Sequence, residues 1–173
     1  VKEQEVITAQ SFIVSIIMKK DLLTLNIGEI SLILSRLNIL FSFPEKNHEI
    51  SNDLFASCCE VILAMFKHYP KQLYGSSSIL ISVLRSMLHH LMTEKISERG
   101  SSDAKCQIFS KICELLIAHK DVYKKHVVGL VLDFVSCMQT KISSSRKELL
   151  LPSVYLLLDT LSMYEQEELN AMM

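Results

Sequence analysis

The chain has 173 residues, 49% of them hydrophobic and 21% charged, with only 4 Gly, 3 Pro and no Trp. A chain this apolar can bury enough surface to offset its ordering entropy, which excludes disorder. So few turn residues also exclude a sandwich or barrel of many short strands. Eighteen Lys and Arg against 19 Asp and Glu leave a net charge of −1, so the composition carries no general attraction to nucleic acid or anionic membrane.

Long helices remain, and apolar spacing places them in chain order. A first segment, roughly Glu3 to Met18, carries Phe12, Ile13, Ile16 and Ile17 and stops in the charged turn Lys19, Lys20, Asp21. A second, Ile27 to Phe41, aligns Ile30, Ile33, Leu34, Leu37 and Phe41 and ends before Pro44. A third follows a Ser51 cap from Asn52 to Tyr69, with Phe55, Cys58, Cys59, Ile62 and Phe66 inward and Pro70 closing it. A fourth, Ser78 to Met92, repeats the stripe as Leu80, Val83, Leu84, Met87 and Leu91.

The polar stretch over residues 93–102 reads as a flexible connector between two halves. Beyond it, Asp103 to His119 points Ile108, Ile112, Leu115 and Leu116 inward, and Val122 to Lys141 is apolar on nearly every side from Val127 to Val135. Such a helix is expected to be buried between neighbours, with Gly129 marking close packing. After a polar run from Ser143 to Ser145, the segment Arg146 to Leu161 contains Pro152. An interior proline costs about 3 kcal/mol, so a kink or break is expected, with Pro152 in the first turn of a new helix. Ser162 and Glu165 then have the spacing of a capping box.

Hairpin starts near residues 5, 52, 103 and 146 recur at close to the roughly 40 to 47 residues of HEAT and armadillo arrays. The expected fold is all-α: an irregular HEAT/armadillo-like stack of antiparallel helical hairpins, one domain over residues 1–173 at the end of an α-solenoid. A mean hydropathy of +0.28, Val1 at the start, and Met172 and Met173 inside an unfinished helical pattern point to a fragment of a larger chain.

The search for chemistry returns structural readings. Cys58, Cys59, Cys106, Cys113 and Cys137 are odd in number and lack a CxxC pair, which fits buried thiols in a reducing compartment, cytosol or nucleus. Adjacent Cys58 and Cys59, or His89 and His90, point apart on a helix. Cys106 and Cys113 are two turns apart, and His119 and His126 are separated by an expected helix break, so neither pair has the three- or four-residue spacing of helical metal ligands. No nucleophile elbow, zincin motif or glycine-rich phosphate loop occurs. Glu60, Asp133 and Asp159 read as solvent-facing, capping or ion-pairing groups rather than an acid–base set. Apolar runs such as Val127 to Leu132 and Val154 to Leu158 fall well short of the roughly 18 residues of a membrane span, and no signal-peptide pattern is visible.

Two basic clusters stand out: Lys67, His68 and Lys71, then Lys120, Lys124, Lys125 and His126. The structural reading places them at helix ends, where cations suit the macrodipole; the functional one is a small contact with RNA phosphate or an acidic partner. Tyr74, Ile79 and Met172 are candidates for exposed apolar docking groups, with core filling as the default.

The stretch 146–173, RKELLLPSVYLLLDTLSMYEQEELNAMM, presents Pro152 followed by Tyr155, then Leu157, Leu158 and Asp159, a short turn, and Glu168, Leu169, Asn170 and Ala171. In this it resembles the C-terminal region of the unhealthy ribosome biogenesis protein 2 family, nucleolar proteins of early large-subunit assembly; that family commonly has Gly where this chain has Ser153. The resemblance implies a non-catalytic scaffold without cofactor or metal, supporting pre-ribosomal RNA processing in the nucleolus. It implies partners among other early assembly factors, including a large companion scaffold and an RNA helicase, on the pre-ribosomal particle, with little direct RNA binding and no membrane. A generic HEAT-like adaptor in transport or signalling shares the expected fold, whereas a catalytic or small-molecule-binding bundle would need an enclosed pocket with convergent polar groups. Within the matching set, Leu158 and Leu169 are expected to join the last two helices and Asp159 or Asn170 to tie their turn. Truncating a fully buried Leu158 would cost about 2 to 5 kcal/mol.

Overall fold

The computed structural model describes residues 3–21, 24–42, 50–93, 101–139, 144–159, 161–162, 166–167 and 170–171, with backbone alone at 101–103, 137–139 and 144–146. Eight helices and no strand are found among the described residues: α1 (Glu3–Met18), α2 (Ile27–Ser42), α3 (Asn52–His68), α4 (Pro70–Gly75), α5 (Ser77–Thr93), α6 (Ser101–Ala118), α7 (Lys120–Gln139) and α8 (Ser144–Asp159). The chain is all-α, and the long elements fall within a residue or two of their expected ends.

Local chemistry explains the boundaries. Asn26 opens α2 with a reciprocal cap: its Oδ1 accepts from the Glu29 N–H at 3.0 Å, and Glu29 Oε2 accepts from the Asn26 N–H at 2.7 Å. Ser51 caps α3 as expected, its hydroxyl accepting from the Leu54 N–H at 3.1 Å. Pro70 does not simply close α3. It also occupies the first position of the short α4, where its fixed φ suits a helix start and its missing N–H is harmless.

The expected break at Pro152 is corrected as well, since α8 runs through it from Ser144 to Asp159. Proline forfeits the bond to the carbonyl four residues back, here Glu148. Both Pro152 and Glu148 lie on the exposed side of α8, where water can serve the freed carbonyl and limit the cost. Of the Ser162 and Glu165 capping box, Glu165 lies outside the described residues. Ser162 still starts a turn, its carbonyl accepting from the Gln166 N–H at 2.9 Å. The connector expected over 93–102 falls largely on 94–100, also outside the described residues, while Thr93 ends α5 and Ser101 opens α6.

Helix direction follows from the side-chain bonds. The Ser51 N–H donates to Glu3, and Gln10 bonds Ser57 and Cys58. Ser31 meets Ser76, Asn38 meets Ser82 and Ser86, and Ser42 meets Ser86. Ser77 meets His126, Arg85 meets Asp133, and Ser110 meets Ser153. All these partners are 43 to 49 residues apart. Where several link one helix pair, both positions advance together, as only parallel neighbours allow. One layer thus holds α1, α3, α6 and α8, and the other α2, α5 and α7, with α4 bridging α3 and α5. Phe41 at the end of α2 meets Phe55 at the start of α3, ring centroids 5.7 Å apart and edge to face, so successive long helices are antiparallel. The result is a stack of helical hairpins with a repeat near the expected length.

The core lies between the layers. Every inward residue expected for α3 and α5 is buried, as are Ile30, Leu34, Leu37 and Phe41 of α2. Phe12 of α1, by contrast, is 65% exposed. In α6 the core takes Cys106, Phe109, Ile112, Cys113 and Leu116, while Ile108 and Leu115 sit half-buried at its margin. The tight glycine is Gly75 rather than Gly129. A Cβ at Gly75 would come within 2.9 Å of Ile27 Cδ1, whereas one at Gly129 would meet the Arg85 guanidinium at an ordinary 3.7 Å.

Candidate functional site

No group of three or more His, Cys, Asp or Glu among the described residues is arranged to hold a metal. Cys58, Cys59, Cys106 and Cys113 are buried free thiols. Burial pushes the Cys58 thiol up to about 12 against a weaker opposing pull from the Gln10 hydrogen bond, and pushes Cys113 up to about 12 with help from Glu114. Cys59 is raised further by burial and by Cys58, Glu60 and Cys113. These thiols stay protonated near neutrality and lack the thiolate that nucleophilic chemistry needs. His89 is exposed and His90 buried, so the pair does point apart.

The carboxylates behave as surface groups. Glu60 and Asp159 are exposed, and Asp133 receives Arg85 in a two-pronged bridge, Nε to Oδ2 at 2.5 Å and Nη2 to Oδ1 at 3.0 Å. Half-exposed as it is, this tie between α5 and α7 contributes at most about 1 kcal/mol. No described helix is long and apolar enough to cross a membrane.

The family-matching residues do not converge. On α8, Pro152, Tyr155 and Asp159 are exposed, Leu157 is fully buried and Leu158 only partly so; Asn170 and Ala171 are exposed, and Glu168 and Leu169 lie outside the described residues. The turn after α8 is tied by Gln166, whose Nε2 donates to the carbonyls of Leu158 at 3.3 Å and Leu161 at 3.2 Å. The Leu158 carbonyl, in the last turn of α8, also accepts from the Leu161 N–H at 3.0 Å, so the chain is drawn tightly around the helix end. The stability expectation therefore moves by one residue: Leu157→Ala should lower the free energy of unfolding by about 2 to 5 kcal/mol and Leu158→Ala by about 1 kcal/mol, as read from urea titrations of the two variants.

The parallel register gathers the turns at one edge of the stack. Lys20 Nζ lies 5.7 Å from the centre of the Tyr69 ring, Ile27 abuts Gly75, and Tyr74 Oη is 3.0 Å from His119 Nδ1. The turns after α1, α3 and α6 thus form one continuous ridge. Both basic clusters lie on it, joined by Lys19 and Lys20. Lys67 and His68 occupy the last turn of α3, as a dipole argument expects. Lys120 does not fit that argument, because α7 begins there and its positive end disfavours a cation, and Lys124 and Lys125 lie past the first turn, far from the C-terminus of α7. Of the proposed docking groups, Tyr74 and Ile79 are half-buried, and Met172 lies outside the described residues.

The sequence profile of the Urb2/Npa2 family matches residues 10–173. The chain belongs to the Urb2/Npa2 family. No curated protein and no solved structure matches it. The Urb2/Npa2 match runs from the middle of α1 through both layers, so membership rests on the whole helical stack and not only on the 146–173 stretch that first resembled the family. Urb2/Npa2 proteins are ribosome-biogenesis factors, which gives this chain its broad role. Sequence reasoning missed Lys19 and Lys20 as members of the ridge. The available signal was the recurrence of lysine at helix ends, Lys19, Lys67 and Lys120, at nearly the repeat spacing.

Proposed function

We propose that this Urb2/Npa2 chain is a non-catalytic scaffold for early assembly of the large ribosomal subunit, supporting pre-rRNA processing in the nucleolus. Family membership across residues 10–173 carries this reading. The fold supports it: a two-layer stack exposes long helix edges and turn ridges, which are surfaces for holding other proteins. In this reading the chain is one part of a larger α-solenoid of HEAT-like character. Phe12 at 65% exposure, Leu32 at 59% and Ile39 at 49% leave the first hairpin with apolar surface for further hairpins to cover. Its partners are other early large-subunit factors on the pre-ribosomal particle, a large companion scaffold and an RNA helicase among them, with little direct hold on RNA.

Depletion in cells, followed by pulse labelling of ribosomal RNA, tests the role. The expected result is loss of mature large-subunit RNA with small-subunit RNA largely maintained. Equal loss of both, or of neither, would contradict it.

A further inference from the structure

We infer that the ridge formed by the turns after α1, α3 and α6 docks an acidic peptide segment of a partner protein, one that also inserts an aliphatic side chain between α2 and α4. Across residues 18–21, 24–29, 67–77 and 119–126 the ridge carries seven lysines, Lys19, Lys20, Lys67, Lys71, Lys120, Lys124 and Lys125, against the carboxylates of Asp21, Glu29 and Asp121. Glu29 is already engaged in the cap of α2. The remainder of the chain has more acids than bases, so the positive charge is concentrated here. Lys19, Lys20, Lys67, Lys71 and Lys120 are all exposed, and none forms an ion pair with a described residue.

Helix stability does not account for this concentration. Lys120 opens α7, where a cation costs roughly 0.3 to 1 kcal/mol instead of contributing it, and Lys124 and Lys125 follow one turn on, away from any helix C-terminus. An anionic partner would offset that cost and the mutual repulsion of the ridge lysines together.

The uncharged groups on the ridge decide what kind of anion fits. Single-stranded RNA is held by exposed aromatic rings on which bases stack and by the planar forks of arginine. Here Tyr69 and Tyr123 are fully buried, Tyr74 is half-buried with its ring packed against His119 and Tyr123, and none of the ridge stretches contains arginine. The exposed groups interspersed with the lysines are aliphatic: Met18 at 59%, Ile27 at 50% and Val122 at 38%. Beside Ile27 lies an open groove of about 540 Å³ lined by Asn26, Ile27, Gly28, Lys71 and Gln72. Its apolar wall with lysine at the rim suits an aliphatic side chain flanked by carboxylates. Neighbouring helices pack roughly 8 to 10 Å apart, about three residues of extended chain, so carboxylates at that spacing can meet successive turns.

The inference rests on reading the chain as a protein-binding scaffold, and its test is separable from that reading. The probe is a fluorescein-labelled peptide of Asp and Glu with interspersed Leu, about 9 residues long so as to cross three helices. Its binding to the 173-residue chain is followed by anisotropy beside a labelled oligouridylate of equal charge. The peptide should bind more tightly than the RNA and weaken as salt is raised.

The triple variant Lys67→Glu, Lys71→Glu, Lys120→Glu, altered only at exposed positions, should melt like the parent and lose about tenfold or more in peptide affinity. Ile27→Ser, which leaves charge untouched, should lose several-fold. RNA binding as tight as the peptide's, no peptide binding, or unchanged peptide affinity in both variants would overturn the inference. A charge-reversed chain that still enters pre-ribosomal particles would leave the scaffold reading standing and remove only this docking site.

Discussion

Phe55→Ala is expected to cost about 3 to 5 kcal/mol of stability, among the largest effects of any single substitution in the chain. Phe55 is fully buried at the start of α3, and three other helices converge on its ring. Phe41 of α2 meets it edge to face at 5.7 Å, His90 of α5 stacks at 6.5 Å, and Lys105 of α6 holds its Nζ 6.0 Å from the ring centre. Lys105 is itself only 2% exposed and donates to the Ile50 carbonyl at 2.6 Å. Truncation therefore leaves a cavity where both layers meet and removes the aromatic face beneath a buried ammonium group, so local collapse cannot easily repair it. At this chain length the loss corresponds to a fall in Tm of roughly 6 to 20 °C, readable by circular dichroism. Phe12→Ala is the internal comparison. With its ring 65% exposed, it should stay within about 0.5 kcal/mol of the parent. Equal losses at the two positions would mean that the inward faces are misassigned.

The second large effect is alkaline destabilisation. Burial raises the thiols of Cys58 and Cys113 from the ordinary 9.0 to about 12, and that of Cys59 further still. In the unfolded chain these groups release protons from about pH 9 upward, while in the folded chain they keep them. Above that pH the unfolded state binds fewer protons, so stability falls as pH rises; below it the thiols contribute no slope. Each contributes about 1.4 kcal/mol per pH unit, and three together about 4 kcal/mol per unit between pH 9 and 12. Tyr123, raised by burial and by its neighbour Tyr74, adds to the decline above pH 10. Against a typical total of roughly 5 to 15 kcal/mol, that slope is enough to unfold the chain within one to a few pH units. Urea midpoints under reducing conditions should hold steady from pH 7 to 8.5 and drop sharply by pH 10. A flat profile to pH 11 would show that the thiols are accessible in the native state.

Sequence spacing reveals the helices better than it reveals how they are rotated. In α3 and α5 the expected stripes, Phe55, Cys58, Ile62 and Phe66, then Leu80, Leu84, Met87 and Leu91, are all buried, but so are Leu54, Val61 and Met65 of α3 and Ile81, Leu88 and Met92 of α5, because these helices are covered on more than one side. In α6 the expected inward set is displaced around the helix. With α3 on one side and α8 on the other, the buried arc centres on Phe109, Cys113 and Leu116, and Ile108 and Leu115 become its border. Nothing local to α6 specifies that rotation. The register between helices is equally nonlocal. Asn38 sets it for α2 and α5 by donating to Ser82 at 3.2 Å and accepting from Ser86 at 2.8 Å, partners more than forty residues away.

Proline shows a different limit. Pro70 and Pro152 carry the same local signal, yet Pro70 separates two helices and Pro152 is absorbed within one. What differs at Pro152 is exposure, since Pro152 and Glu148 both lie on the exposed side of α8, and exposure is a tertiary property. The lysine ridge was legible only as separate clusters. Joining Lys19, Lys67 and Lys120 required knowing that α1, α3 and α6 run the same way, which side-chain pairing establishes and composition does not.

Sedimentation of the tagged protein from cell extract tests the scaffold account most directly. It should travel with particles containing large-subunit precursor RNA and remain with them after ribonuclease trims the exposed RNA, because proteins hold it there. Recovery only at the top of the gradient, or release on mild ribonuclease treatment, would contradict a protein-held place in large-subunit assembly.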